Sequence, residues 1–312
     1  MTTLTTKNQF TGVAWKIASC LCFAAINGIV RHLTGGSGDT LESALPVYVI
    51  IFYQNVIGTL FMIPVILQNG KTSLYTSNPL LHFLRVSFAV GGLGLWYLAV
   101  YYLPLAHAVA LSFTGPVITV LGAHFFLKED ITINRVMAIS ICIIGAFILT
   151  RPDQVLFNNQ TTGYGLAVLL PLGSAVAFAA SKLLSRALSC HGESANSLTF
   201  YLLVLMVPIS AVPAAYEWVS PSMTQYPWLI ALGLLGAAAH YTLTRSLEAA
   251  EVSFIMPFGY SKIIFSALIG FIAFSETPKS SSLWIGSLII FMSTWLLILP
   301  EKKKISLKTN RI

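Results

Sequence analysis

The sequence contains little charge and few acidic residues. Charged side chains occupy 9% of its 312 positions, and only 11 residues are aspartate or glutamate. Soluble domains carry about 25% charged residues because their surfaces face water. Hydrophobic residues make up 56% of this chain, so a globule built from it could not be covered with polar side chains. The composition excludes a water-soluble domain and predicts an integral membrane protein.

Motifs of common enzymes and metal sites are also missing. The chain has no P-loop, no H-E-x-x-H and no G-x-S-x-G pattern. Its four cysteines, Cys20, Cys22, Cys142 and Cys190, lack paired C-x-x-C spacing. We therefore predict no metal, no cofactor and no ATP hydrolysis by this chain alone.

Apolar stretches of about 20 residues, the length of a membrane-spanning helix, recur along the chain. Short polar or Pro/Gly-containing breaks separate them. The ten predicted spans are 11–33, 44–67, 80–102, 105–127, 134–150, 163–188, 196–218, 227–247, 251–274 and 281–299. The predicted fold class is an all-α integral membrane protein with ten transmembrane helices.

Lysines and arginines divide unevenly between the two sides of these spans. With the N terminus inside, fourteen of the 18 fall on the cytoplasmic side, Lys16 and Lys182 among them, and Lys262 is buried. The outer set is Arg31, Arg151 and Lys279. Both termini are therefore predicted to be cytoplasmic, in a multi-pass protein of the cell inner membrane. The net charge of +7 follows from this topology and not from nucleic-acid binding, and the basic tail 300–312 is expected to contact the lipid bilayer.

Two pairs of segments recur in the same order about five spans apart. Residues 23–33 match residues 178–188 at five of eleven positions, and the Phe126–Glu129 segment resembles Phe274–Glu276. A duplicated unit with an odd number of spans places its second copy upside down in the membrane. We predict two inverted five-helix repeats, 11–150 and 163–299, joined by a linker at 151–162.

This plan resembles the EamA-type drug/metabolite transporter superfamily. The likeness rests on the ten spans, the 126–132 segment, and the small-residue turns at 104–110 and 249–253. The usual Leu-Gly-Glu of that family is replaced here by Leu-Lys-Glu at 127–129 and Phe-Ser-Glu at 274–276. The resemblance implies a substrate cavity between the halves and alternating access. Some similar carriers of intracellular bacteria take up S-adenosylmethionine.

Lys262 stands near the middle of the ninth apolar stretch, too deep for its side chain to reach the headgroups. An ionisable group at that depth is a hypothesis for a functional site. Gly259 shares its helix face, and Pro257 is expected to open the helix beside it because proline lacks a backbone N–H. A structural alternative pairs Lys262 with a carbonyl or a tyrosine.

Further predicted substrate contacts lie on other spans. His240 and Thr244 belong to a polar stripe on the eighth span, although a buried histidine can also serve helix packing. Asn27 and Asn55 are amides inside apolar spans, where such groups either bind substrate or join helices. On the third span, Trp96 and Tyr97 could stack on a planar ring.

No Asp or Glu lies deep in any predicted span. A carboxylate-based antiporter of cationic drugs needs such a group, so we expect a small-molecule substrate with an anionic group. The prediction is a secondary transporter, not an enzyme, that moves an amino-acid-like or nucleoside-like metabolite, with S-adenosylmethionine as a named candidate. The alternative functions are export of amino acids or drugs, an intramembrane enzyme and a non-transporting scaffold. Assembly as a homodimer is a separate hypothesis.

Overall fold

The computed structural model describes residues 6–34, 44–68, 76, 78–102, 111–112, 114–150, 167, 169–274 and 282–298. All regular structure in these residues is helical. The helices are α1 (Thr6–Leu33), α2 (Val47–Gln68), α3 (Pro79–Tyr102), α4 (Gly115–Leu127), α5 (Ile133–Thr150), α6 (Leu169–Cys190), α7 (Ala195–Tyr216), α8 (Tyr226–Ala249), α9 (Val252–Ile255), a 3-10 turn (Pro257–Tyr260), α10 (Ser261–Phe274) and α11 (Ser282–Ile298).

The predicted all-α fold with ten spans is confirmed, with α9, the 3-10 turn and α10 together forming the ninth span. Five helical segments are long and apolar enough to cross a membrane, by length and composition: Gln9–Leu33, Val47–Gln68, Pro79–Trp96, Ala195–Tyr216 and Val252–Ala273. Parts of the predicted fourth and sixth spans, and both the linker 151–162 and the tail 300–312, lie outside the described residues.

The helix contacts show a repeat when spans one to five are exchanged, in order, with spans six to ten: the most extensive contacts then fall on one another. The extensive α1–α8 contact then maps onto α3–α6, and α1–α10 maps onto α4–α6. The α2–α7 and α5–α11 pairs map onto themselves. This is the pattern that a two-fold relation between five-span halves would produce. The boundaries and the inverted orientation of the halves stay predictions.

Four helix ends meet at one end of the bundle. Ser246 near the end of α8 donates to the carbonyl of Gly12 near the start of α1, at 2.8 Å. Arg186 near the end of α6 donates to the carbonyl of Leu247, at 2.6 Å. Since α9 begins three residues after the end of α8, it starts at this end too. We call it the near end, and depths below are counted from it.

The ninth span breaks where Pro257 predicts a break. Pro257 opens the 3-10 turn between α9 and α10, because its ring cannot donate the hydrogen bond that would continue an α-helix. Thiols of neighbouring helices contact the turn carbonyls: Cys142 reaches the Pro257 oxygen at 3.8 Å, and Cys20 reaches those of Phe258 and Gly259 at 3.7 and 3.6 Å. The break is thereby packed between α1 and α5.

Candidate functional site

Four basic side chains lie in the interior of four spans. Lys16 lies ten residues after the start of α1, and Lys262 ten residues after the start of α9. Lys182 lies eight residues before the end of α6, and His240 nine before the end of α8. These helix ends are not level with one another, because Gly12, six residues into α1, contacts Ser246 and Ala250 at the near end. Counted from that contact at about 1.5 Å per residue, Lys16 lies about 6 Å and His240 about 9 Å inside the bundle.

Phe23 of α1 joins two of these groups. Its ring contacts the His240 ring edge-on, with 5.4 Å between centroids and an interplanar angle of 88°. The Lys262 Nζ lies 5.4 Å from the centroid of the same ring. An ammonium at this distance is attracted by the electron-rich face of the ring. Phe23 therefore holds one basic side chain from each of two other helices.

Gly259 brings Lys16 against the broken span. A Cβ atom at this position would lie 3.3 Å from Lys16 Cε and 3.7 Å from its Nζ, so the absence of a side chain leaves room for the ammonium. Lys16 is 7% exposed, whereas Lys182 and Lys262 are half-buried.

No carboxylate accompanies this group among the residues that the structure describes. The described acidic residues all lie in loops or near helix ends: Glu129, Asp130, Glu193, Glu217, Glu248 and Glu251. None of the recorded ion pairs involves a lysine. The interior of the bundle thus holds lysine side chains without a carboxylate partner in the described part of the chain.

The other predicted contacts have varied surroundings. Thr244 is buried and donates to the carbonyl of His240 at 2.9 Å. Asn55 is buried between α2 and α7, and its amide donates to Ser210 Oγ at 3.4 Å. Asn27 is exposed, one helical turn beyond Phe23, and Trp96 is half-buried on α3. The side chain of Tyr97 lies outside the described residues.

The structure therefore assembles part of the predicted set and adds two residues, Phe23 and Lys16, that sequence reasoning missed. Lys262, His240 and Gly259 lie against α1 at these two residues. Lys16 and Lys182 were counted on the cytoplasmic side from the sequence, and the structure places them ten residues after the start of α1 and eight before the end of α6. The internal repeat could have drawn attention to Lys182, because it aligns this residue with Asn27, a predicted substrate contact.

A network of charged groups closes the near end. The buried Glu129 carboxylate, after α4, accepts from the backbone N–H groups of Val252 and Ser253 at 2.9 Å each, which caps the start of α9. Arg135 of α5 pairs with Glu251 at 2.6 Å and donates to Ser253 Oγ at 2.5 Å. These bonds tie the α4–α5 loop to the start of the ninth span.

A cavity of about 150 Å³ lies elsewhere, between α2, α3 and α7. Its walls are almost entirely apolar and include Tyr48, Leu93 and Met206. None of the predicted contact residues lines it. It offers no charged group to a polar substrate.

A helical membrane bundle whose ninth span breaks beside basic side chains is typical of secondary transporters, whose sites lie at discontinuous helices near the midplane. The profile of the EamA-like transporter family matches residues 10–151. A riboflavin transporter of Vibrio cholerae serotype O1 is 30% identical, with 94% of each chain covered. The chain belongs to the EamA-like transporter family. It is therefore a multi-pass membrane transporter of small metabolites and not an enzyme.

Other relatives carry different substrates. An S-adenosylmethionine uptake transporter of Rickettsia felis is 27% identical, with 97% of each chain covered. A pseudopaline exporter of Pseudomonas aeruginosa is 24% identical over 89% of this chain and 93% of its own. A solved crystal structure shares the fold with a TM-score of 0.79 at 18% identity, covering 96% of this chain and 99% of that chain.

Proposed function

We propose that this transporter carries a planar heteroaromatic metabolite, neutral or anionic, through the central site by alternating access of its two halves. A flavin such as riboflavin is the leading candidate. The observation that carries the proposal is the Phe23 ring between His240 and Lys262, in a centre without a described carboxylate. Localisation in the cell inner membrane, with both termini cytoplasmic, belongs to the same proposal.

The chemistry of the centre ranks the substrate classes. An aromatic side chain offers a surface on which a flat ring can stack. Lysine and histidine nitrogens can donate hydrogen bonds to ring carbonyls and ring nitrogens. A flavin ring system combines flatness with such acceptors. The full-length relatives named as riboflavin transporters agree with this choice.

S-adenosylmethionine is the second candidate, favoured by the full-length relative from Rickettsia felis. Its adenine ring could stack on Phe23 and its carboxylate could pair with a lysine. Its sulfonium and ammonium groups, however, would meet Lys262 and Lys16 without a described carboxylate to receive them. A simple amino acid meets the same difficulty at its ammonium group and has no ring to stack.

The proposal is tested by transport into liposomes containing the purified protein. The labelled panel is riboflavin, S-adenosylmethionine, a set of amino acids and a set of nucleosides. We expect riboflavin uptake that falls at least about tenfold in Lys262→Ala, the equivalent of about 1.4 kcal/mol of lost interaction. Lys128→Ala is the matched control, because Lys128 is exposed after α4. Transport that is identical in wild type and Lys262→Ala would remove Lys262 from the site.

A second pair of variants tests the ring-stacking surface. Phe23→Tyr keeps an aromatic ring and should retain riboflavin uptake, whereas Phe23→Leu keeps an apolar side chain without a ring and should lose most of it. Equal activity of the two variants would contradict a stacking role. Transport of cationic panel members alone would overturn the proposed substrate class.

A further inference from the structure

His82 of α3 is a buried titratable residue that the substrate site does not use. Its side chain is 3% exposed, and neither ring nitrogen forms a hydrogen bond with a described residue. The nearest carboxylate is that of Glu193, between α6 and α7, with its Oε2 3.7 Å from Nε2 of the ring and thus beyond hydrogen-bond distance. Unsatisfied buried polar groups are rare because each costs free energy. A buried imidazole without a partner therefore calls for a functional explanation.

The groups around this ring join α3 to α6 and α7 at the near end, where α6 ends. Thr76, before α3, donates to the Glu193 carboxylate at 2.5 Å. Arg85, further along α3, donates to the Leu198 carbonyl of α7 and, at 3.4 Å, to Ser185 Oγ of α6. Because α3 belongs to the first predicted repeat and α6 and α7 to the second, these bonds connect the two halves.

Neutral His82 leaves the charges of this cluster balanced. Arg85, one helical turn away on α3, is positive and Glu193 is negative, and both act on His82. From α7 the ring of Tyr201, uncharged at neutral pH, lies 4.7 Å away between centroids, and α6 presents the uncharged Ser185. The Glu193 oxygens already accept two hydroxyl hydrogen bonds. A proton on His82 would add a second cation without a second carboxylate in the described part of the cluster.

Burying an uncompensated charge is costly. Separation of α3 from α6 and α7 would admit water to solvate an imidazolium, so the open arrangement binds the proton more tightly than the closed one. We propose that His82 is a proton-binding site that controls opening of the near end. The ring is neutral while α3 is bonded to α6 and α7, and it is protonated when they separate. Since a ligand favours the form that binds it more tightly, acidification favours opening.

The test measures the accessibility of a thiol introduced at Thr199 of α7. Thr199 is fully buried, follows the residue that Arg85 contacts, and has no hydrogen bond at its hydroxyl, so Thr199→Cys removes none. Full-length protein in detergent is treated with a small maleimide at about pH 7.5 and about pH 5.5, on either side of the ordinary histidine pKa of about 6.5. The exposed Cys190 is the internal reference, because the pH dependence of thiol reactivity largely cancels in the ratio of the two labelling rates.

We expect this ratio to rise severalfold at the lower pH, since one linked proton can contribute up to about tenfold per pH unit. Adding His82→Gln should make the ratio equal at the two pH values, because glutamine is polar but does not titrate. His82→Asn should give the same result, so the test stands if one of these variants fails to fold. His191→Gln is the matched control, since His191 is exposed at the near end, and the rise should persist.

No substrate is present in this assay, so its outcome is separate from that of the proposed function. A ratio that is independent of pH with His82 intact would overturn the proton site. An equal rise with and without His82→Gln would assign the pH response to another group and overturn it as well.

Discussion

Lys16 of α1 packs against Gly259 in the 3-10 turn, where the absence of a side chain leaves space for it. Lys262 follows three residues after Gly259, at the start of α10. Neither has a carboxylate partner in the described chain. Their mutual repulsion and their desolvation both disfavour the ligand-free protein. Side chains that lower stability at a buried position are expected where they serve binding.

Removing one of these charges should therefore stabilise the empty protein. Replacement of a buried charge by a well-packed apolar side chain has gained about 1–4 kcal/mol in other proteins. We expect Lys16→Met to raise the melting temperature without ligand, by roughly 2–4 °C for each kcal/mol gained. Thermal unfolding of detergent-solubilised protein measures the shift, with Lys128→Met as the exposed control. A lower melting temperature in Lys16→Met would show that the ammonium has a stabilising partner.

Sequence reasoning found Lys262 and His240 because each interrupts a long apolar stretch, a local signal that needs no knowledge of the fold. Lys16 was counted among the cytoplasmic charges because it lies near the start of the first predicted span. In the structure it lies ten residues after the start of α1 and packs against Gly259. Phe23 gave no signal, because one aromatic residue among apolar ones looks like ordinary packing.

Among the elements, α5 and α11 form one of the closest helix pairs in the bundle. Gly145 makes this approach possible: a Cβ atom there would lie 3.0 Å from the carbonyl oxygen of Gly286 and 2.9 Å from Ile290 Cγ1. Backbone oxygen cannot move aside as a flexible side chain can. Small residues at such contacts let transmembrane helices pack by van der Waals interactions and weak polar contacts.

Gly145→Ala should push α5 and α11 apart and destabilise the protein. Gly91→Ala on α3 is the matched control, because an added Cβ meets no atom within 4 Å. Alanine is favoured over glycine in a helix by about 1 kcal/mol, so the control should be neutral or stabilising. Melting temperatures of the two variants decide the point, and equal values would contradict a close contact at Gly145.

The element order and the break at Pro257 could be predicted from the sequence because hydropathy and proline act over one or two helical turns. The pairing of α1 with α8 and of α3 with α6 could not, since it depends on contacts between residues more than 80 positions apart. The cap that Glu129 provides for α9 is of the same kind. A carboxylate in a loop gives no sign of the helix start that it will reach.

At the scale of the whole molecule, the near-end network and the central site belong to one span. Glu129 and Arg135 hold the start of α9, and Lys262 lies ten residues further along the same span. Movement of one half against the other would have to release these bonds or carry them along. The near-end bonds and the central lysine therefore belong to one continuous helical segment.

The proposed orientation makes a prediction at a single exposed thiol. Cys190 ends α6 at the near end and is exposed, whereas Cys20 and Cys142 are buried and Cys22 is half-buried. Because α1 also begins at the near end, cytoplasmic termini place Cys190 inside the cell. A membrane-impermeant maleimide should label the protein only after the cells are permeabilised, and the label should disappear in Cys190→Ser. Labelling of Cys190 in intact spheroplasts would put the near end outside and reverse the assignment of both termini.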